Sequence, residues 1–231
     1  MNLKDFKEKN NIAFSDDALL TQAFIHRSFI NENPRSGLEH NERLEFLGDA
    51  VLELVVTEYL YATYPHHNEG DLTAYRSALV NAVTLGKVAD ALSFNDMMRL
   101  SKGEAKDVSR ARSSILADAY EAFVGALYLD QGYDAAKSFI SRTVLIKTDD
   151  IIKQGLYKDA KSFAQEKAQE VHGVTPSYKV LGEEGPDHDK RFRIGIYFGD
   201  EMIAEGEGKS KQEGETEAAR AALLKKGWAG I

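Results

Sequence analysis

Glu42, Glu45, Asp49 and Glu53 follow one another at intervals of three and four in NERLEFLGDAVLE. At about 100° per residue of a helix they share one strip about 80° wide. Like charges so spaced repel by about 0.2–0.5 kcal/mol per pair. No Lys or Arg interleaves on the strip to relieve them, since Arg43 falls on another side. A second pair, Asp118 and Glu121 in LADAYEAFVGA, also shares one helical face, with Ala122 and Gly125 beside it permitting close approach. Two acidic pairs on facing helices form an all-oxygen donor set suited to Mg²⁺, or to Mn²⁺ in its place. Taken singly, the strip also reads as a solvated acidic face. The chain has no Glu-x-x-His spacing, which disfavours a di-iron bundle.

These residues must be carried on helices. Leu44, Leu47, Val51, Leu54 and Val55 fall opposite the acidic strip, so the apolar stripe is expected to pack inward and the acids to face elsewhere. Phe46 lies on the acidic side, away from the leucines, where it either enters a partner subunit or folds over a neighbouring helix. Up to about residue 150 apolar residues recur at helical spacing, broken by NENPRSG, PHHNEG and SKGEAKDVSRARS, and Pro65 stops the long acidic helix. Asp71 reads as the N-cap of LTAYRSALV. From about residue 157 the pattern changes to helix, three strands, helix, with Phe192, Ile194, Ile196 and Phe198 alternating along the middle strand. The expected organisation is an all-α domain over 1–152, a joint at 153–158 and a small α-β-β-β-α domain over 159–228. His26 in FIHRS reads as a packing or hydrogen-bonding histidine, and His66 and His67 as a solvated loop.

The composition narrows the chemistry. The 231 residues include no cysteine, which excludes disulfides, zinc–thiolate sites and thiol catalysis. A polar start without a signal-type apolar run, and no apolar stretch long enough for a bilayer, point to a cytoplasmic protein without a membrane partner. The net charge of −8 is by itself the wrong sign for a nucleic-acid partner.

The motifs outweigh that charge. HNERLEFLGDAVL resembles the signature of the bacterial ribonuclease III family, SILADAYEAFVGALYLD its second catalytic helix, and EGDLTAYRSALV the block between them. The tail resembles the double-stranded-RNA-binding domain that follows in that family. The resemblance implies a homodimeric, Mg²⁺-dependent hydrolase of duplex RNA, leaving 5′-phosphate and 3′-hydroxyl ends with a short 3′ overhang, and using no small-molecule cofactor. It implies processing of ribosomal, messenger and transfer RNA precursors. It makes Glu45, Asp49, Asp118 and Glu121 the metal ligands, with Glu121 and Asp49 central to catalysis and Glu42 and Glu69 at the edge of the site. It seats Phe46 in a socket on the partner subunit. The competing class is a catalytically silent dimeric scaffold that binds double-stranded RNA, and retention of all six carboxylates speaks against it.

In the C-terminal module the resemblance implies RNA contacts from Lys161, Gln165 and Glu166 on the first helix, from His188 in the loop GPDHDK, and from Lys209, Ser210 and Lys211 before the last helix. Two features depart from the family pattern. Gln212 replaces a second basic residue, and Gly214 stands inside a helix, where it is expected to cost about 1 kcal/mol against Ala. From Tyr157 onward there are 12 Lys and Arg against 14 Asp and Glu. Binding is therefore expected to be weaker and more salt-sensitive than the domain type suggests.

Overall fold

A computed structural model describes residues 2–106, 110–153, 157, 159–186 and 190–228. The chain divides into two compact units, Met1–Asp149 and Asp150–Ile231. Most of the expected joint, residues 154–156 and 158, lies outside the described residues. Among the described residues no helix is long and apolar enough to cross a membrane.

The helices run α1 (Leu3–Lys9), α2 (Asp17–Ala23), α3 (Arg27–Glu32), α4 (Glu42–Thr63), α5 (Glu69–Val80), α6 (Ala82–Ala91), α7 (Arg110–Thr143) and α8 (Thr148–Lys153). In the first unit the most extensive packing is between α4 and α7. A cluster of buried rings, Phe6, Phe24, Phe94, Tyr120, Phe123 and Phe139, anchors this unit, with centroids of neighbouring rings 4.8–6.2 Å apart. The Tyr120 hydroxyl would be costly to bury alone and pairs with Thr143 Oγ1 at 2.7 Å.

Two glycines set how close α4 and α7 come. A Cβ on Gly48 would stand 1.8 Å from the Glu121 carbonyl oxygen, and one on Gly125 2.2 Å from that of Leu44. The two backbones therefore touch, and any side chain at either place would separate them. This contact also turns α4 away from the expected orientation. Its buried face is Leu44, Gly48, Val51, Leu52, Val55 and Val56, whereas Leu54, expected inside, is 58% exposed. Leu54 lies at the edge of the apolar stripe, on the side away from Leu52 and Val56. The covered face thus runs toward the acidic strip rather than opposite to it, and Glu45 is half-buried at its margin.

Asp71 does not cap α5. The helix starts three residues earlier than expected, with Asn68 as N-cap accepting from the Asp71 N–H at 3.0 Å, while Asn68 Nδ2 donates to the Asp71 carboxylate at 2.8 Å. Asn caps as well as Asp does, and this exchange satisfies both side chains.

The second unit contains α9 (Ala160–His172), β1 (Ser177–Glu184), β2 (Arg191–Phe198), β3 (Glu201–Gly208) and α10 (Lys211–Lys225). Gly173, in the left-handed region at φ 67°, closes α9. The three strands form an antiparallel sheet in the order β1-β2-β3, with Val180 opposite Ile194 and Ile194 opposite Gly206. Phe163, Ala164, Ile196, Ile203, Ala219 and Leu223 build a core between the sheet and the two helices. Gly214 is buried here, and a Cβ on it would meet Ile194 Cγ1 at 2.6 Å. The glycine is a packing requirement at this position, so helix propensity misjudges what alanine would do.

Candidate functional site

The glycine contact decides where the carboxylates go. Gly48 sits between Glu45 and Asp49, and its Cα presses on the Glu121 carbonyl. Carboxylate oxygens of Glu45, Asp118 and Glu121 consequently lie within 4.8 Å of one another. Burial pushes the Glu45 carboxyl up to about 7, and neighbouring Asp118, Glu42 and Asp49 add to the effect. Glu121 rises further, to about 8, first through burial and then through Asp49, Asp118, Glu45 and Glu53. Burial also raises Asp118, against a smaller opposing influence from His26. Asp49 is exposed and outside the group of three, yet close enough to repel both glutamates.

These donors fit a hard divalent cation. They are all carboxylate oxygens, half-buried, and held by two helices whose backbones are in contact. A cation there would relieve the repulsion that lifts Glu45 and Glu121.

A cleft of about 530 Å³ opens beside the cluster, lined by His26, Arg27, Asn41, Glu42, Glu45 and Asp118. Glu42 stands at its rim, 3.4 Å from Arg27 Nη1 and 3.7 Å from His40 Nδ1. Asn41 is buried and ties the start of α4 to the preceding segment. Its N–H donates to the Ile25 carbonyl at 2.9 Å and its Nδ2 to that of Ala23 at 3.2 Å. Sequence reasoning passed over Asn41, although its place at the head of NERLE was the available signal. It recognised His26 as a hydrogen-bonding histidine but did not foresee its place in the cleft, because the ring comes from a separate segment.

Glu69 is not brought into the cluster. It is the first residue of α5 and lines a different groove, with Tyr61, His67 and Arg76. Phe46 is 83% exposed beside Arg43, Leu47 and Leu129, so its ring is not folded away over a neighbouring helix.

The second unit pairs its charges instead. Lys161 Nζ lies 2.5 Å from Glu215 and 5.2 Å from the centre of the Tyr178 ring. Lys211 is 3.8 Å from Glu183. Ser210 caps α10 by accepting from the Glu213 N–H, and the Glu213 carboxylate accepts from the Lys209 N–H at 2.9 Å. The arrangement is like a capping box, with the return bond made to the residue before the N-cap rather than to the N-cap itself. Gln165 and Glu166 are exposed on α9, and His188 lies outside the described residues.

The family model described as "Ribonuclease-III-like" matches residues 16–148, and that of the "Double-stranded RNA binding motif" matches 160–226. The chain is 44% identical over 219 residues to ribonuclease 3 of Pelotomaculum thermopropionicum, covering 95% of this chain and 91% of that one. It is 45% identical over 225 residues to ribonuclease 3 of a Geobacillus species, covering 96% and 90%. Among solved structures it is similar to the nuclease domain of ribonuclease III from Campylobacter jejuni, a protein described for flexibility in a region involved in dimer formation. That match has 39% identity and a TM-score of 0.56, over 62% of this chain and 96% of that domain.

Proposed function

The chain belongs to the ribonuclease III family, as an endoribonuclease acting on double-stranded RNA, and from that premise we propose how it cuts. The reading is Mg²⁺-dependent hydrolysis of both strands by a homodimer in the cytoplasm. Mn²⁺ is able to substitute, and the products carry 5′-phosphates, 3′-hydroxyls and a short 3′ overhang. Precursors of ribosomal RNA and some messengers are the expected substrates.

The observation that carries this reading is the meeting of Glu45, Asp118 and Glu121 oxygens within 4.8 Å. With Asp49 at the open side, these would hold the cations. Bound there, divalent cations would supply charge to neutralise the phosphate and to lower the pKa of a water. The chain's own contribution is to fix the ligands before RNA arrives, so that little reorganisation remains at the moment of reaction. Glu42, at the rim with Arg27, lies along the approach to the cleft. Glu69, on α5, is assigned to the edge of the site on family resemblance alone. Phe46, exposed beside Leu129, is suited to insertion into a second copy of the chain. In the C-terminal module, Lys161, Gln165, Glu166, Lys209, Ser210 and Lys211 are the proposed duplex contacts.

Glu121 meets both Asp118 and Glu45 in the cluster, and it is the ligand whose loss should matter most. Glu121→Gln keeps the shape and removes the charge. It should retain duplex binding in a gel-shift assay and lose cleavage by at least about 1,000-fold, as the loss of a principal catalytic group does. Near-normal cleavage in Mg²⁺ would contradict the assignment. A perfect RNA duplex with and without Mg²⁺, run beside the matching DNA duplex, tests the activity itself.

A further inference from the structure

The acidic cleft has a wall that the metal-ligand assignment leaves without a task. His26 is half-buried there, lining the cleft with Glu45 and Asp118. Its backbone is fixed, since its N–H donates to the Arg99 carbonyl at 3.1 Å and Ile25 bridges to Arg99. The ring is fixed as well. The Ser28 N–H donates to His26 Nδ1 at 3.3 Å, capping α3, and Ser28 Oγ lies 2.8 Å from the same nitrogen. Ser28 Oγ in turn accepts from the Ser101 N–H at 3.0 Å, which leaves its own hydrogen to donate to Nδ1.

Nδ1 is therefore an acceptor, and a neutral imidazole with an acceptor at Nδ1 carries its hydrogen on Nε2. Among the described residues Nε2 has no hydrogen-bond partner. An N–H donor without a partner beside three carboxylates is not needed for the fold, because the helix cap uses only the other nitrogen. The other donor side chain in the cleft besides Asn41, Arg27, faces Glu42 at 3.4 Å. Once cations occupy the carboxylates, the group that enters this cleft and still needs a donor is a phosphate oxygen of the RNA strand.

We infer that His26 is a substrate-contacting residue, its Nε2–H donating to a non-bridging phosphate oxygen of the bound strand. This rests on the proposed function, and the two fail differently. If wild-type protein does not cut duplex RNA in Mg²⁺, that reading fails; if it cuts and the variants below misbehave, only this one does.

The two nitrogens are separable by substitution. Asn places its amide oxygen near the position of Nδ1, preserving the cap, but does not reach Nε2. Gln reaches toward the position of Nε2 with its amide N–H. In the full chain, His26→Asn should lower kcat/KM on a perfect RNA duplex about 10- to 100-fold, the range for a lost hydrogen bond to a charged group. Its melting temperature and its affinity for Mg²⁺ alone, by calorimetry, should match wild type. His26→Gln should recover most of the loss. Three results would overturn the inference. One is His26→Asn cleaving like wild type. Another is Mg²⁺ affinity falling in step with activity, which would make the ring a support for Asp118. The third is Gln doing no better than Asn, with or without a drop in melting temperature, which would leave the ring only structural.

Discussion

The acidic cleft and the face of the C-terminal module handle charge in opposite ways. In the cleft, carboxylates of one sign are pressed together by a helix crossing with no room for a side chain at Gly48 or Gly125. On the module, lysines proposed to contact RNA have been met by carboxylates of the same unit, Lys161 by Glu215 and Lys211 by Glu183. Unrelieved repulsion suits the first region to cations. Internal pairing marks the second as a place where RNA must compete. The lesson is that the cleft depends on backbone packing, which tolerates almost no change, whereas the module depends on exposed pairs that adjust.

The largest effect should come from separating the helices. Gly48→Ala puts a methyl where only 1.8 Å is available, against backbone rather than a flexible side chain. Overpacking of this kind costs about 1–3 kcal/mol and more where backbone must move. Cleavage should fall at least about 100-fold even where the protein remains folded, because a displacement of about 1 Å at the reacting groups has that effect. Melting temperature, duplex cleavage and Mg²⁺ affinity would all be measured. A variant that keeps full affinity for Mg²⁺ would show that the cluster does not depend on this crossing.

Next in size is a pH effect peculiar to the cleft. Folding raises Glu45 from an ordinary 4.5 to about 7 and Glu121 to about 8. Between these limits the folded chain holds protons that the unfolded chain has released, so stability falls as pH rises. The contribution is fully present below about pH 4.5 and is lost by about pH 8. Metal-free protein should therefore melt at lower temperature at pH 8 than at pH 5. Glu121→Gln should show a shallower decline, which separates the cleft from the chain's general negative charge. Mg²⁺ should raise the melting temperature more at pH 8 than at pH 6, since its ligands must first lose their protons. Identical pH slopes for wild type and Glu121→Gln would remove the cleft from the explanation.

How far each region could be read from sequence follows the same divide. The helices and strands were legible because apolar spacing and turn residues are local signals: α9 ends at Gly173, and β2 alternates through Ile194, Ile196 and Phe198. The acidic spacing on each helix was legible, but which carboxylates act together was implied by the family resemblance, and the structure groups Glu45 with Asp118 and Glu121. What escaped depends on a neighbour. The rotation of α4 is set by Gly48 against Glu121, so counting only large apolar residues put Leu54 inside. Gly214 was judged by helix propensity, while its real constraint is Ile194 on another element. His26 reaches the cleft from the start of α3, outside α4 and α7, and periodicity orders residues only within their own helix.

The smallest effect should come from unpairing the module. Glu215 is 29% exposed and Lys161 34%, so the pair is partly screened by solvent and adds little to stability. Glu215→Gln should cost less than about 1 kcal/mol of stability for that reason. Its effect on RNA runs the other way, because Lys161 Nζ no longer has a carboxylate at 2.5 Å competing with RNA. Duplex affinity, measured without divalent cation so that no cutting occurs, should rise about two- to threefold at low salt. The dependence of affinity on salt should steepen by less than one phosphate contact's worth, since one lysine becomes more available. The same substitution must leave kcat unchanged at saturating RNA, because the cleft does not use Glu215. Weaker binding by Glu215→Gln would mean that the pair orients Lys161 for RNA, and the module would then resemble the cleft in relying on fixed geometry.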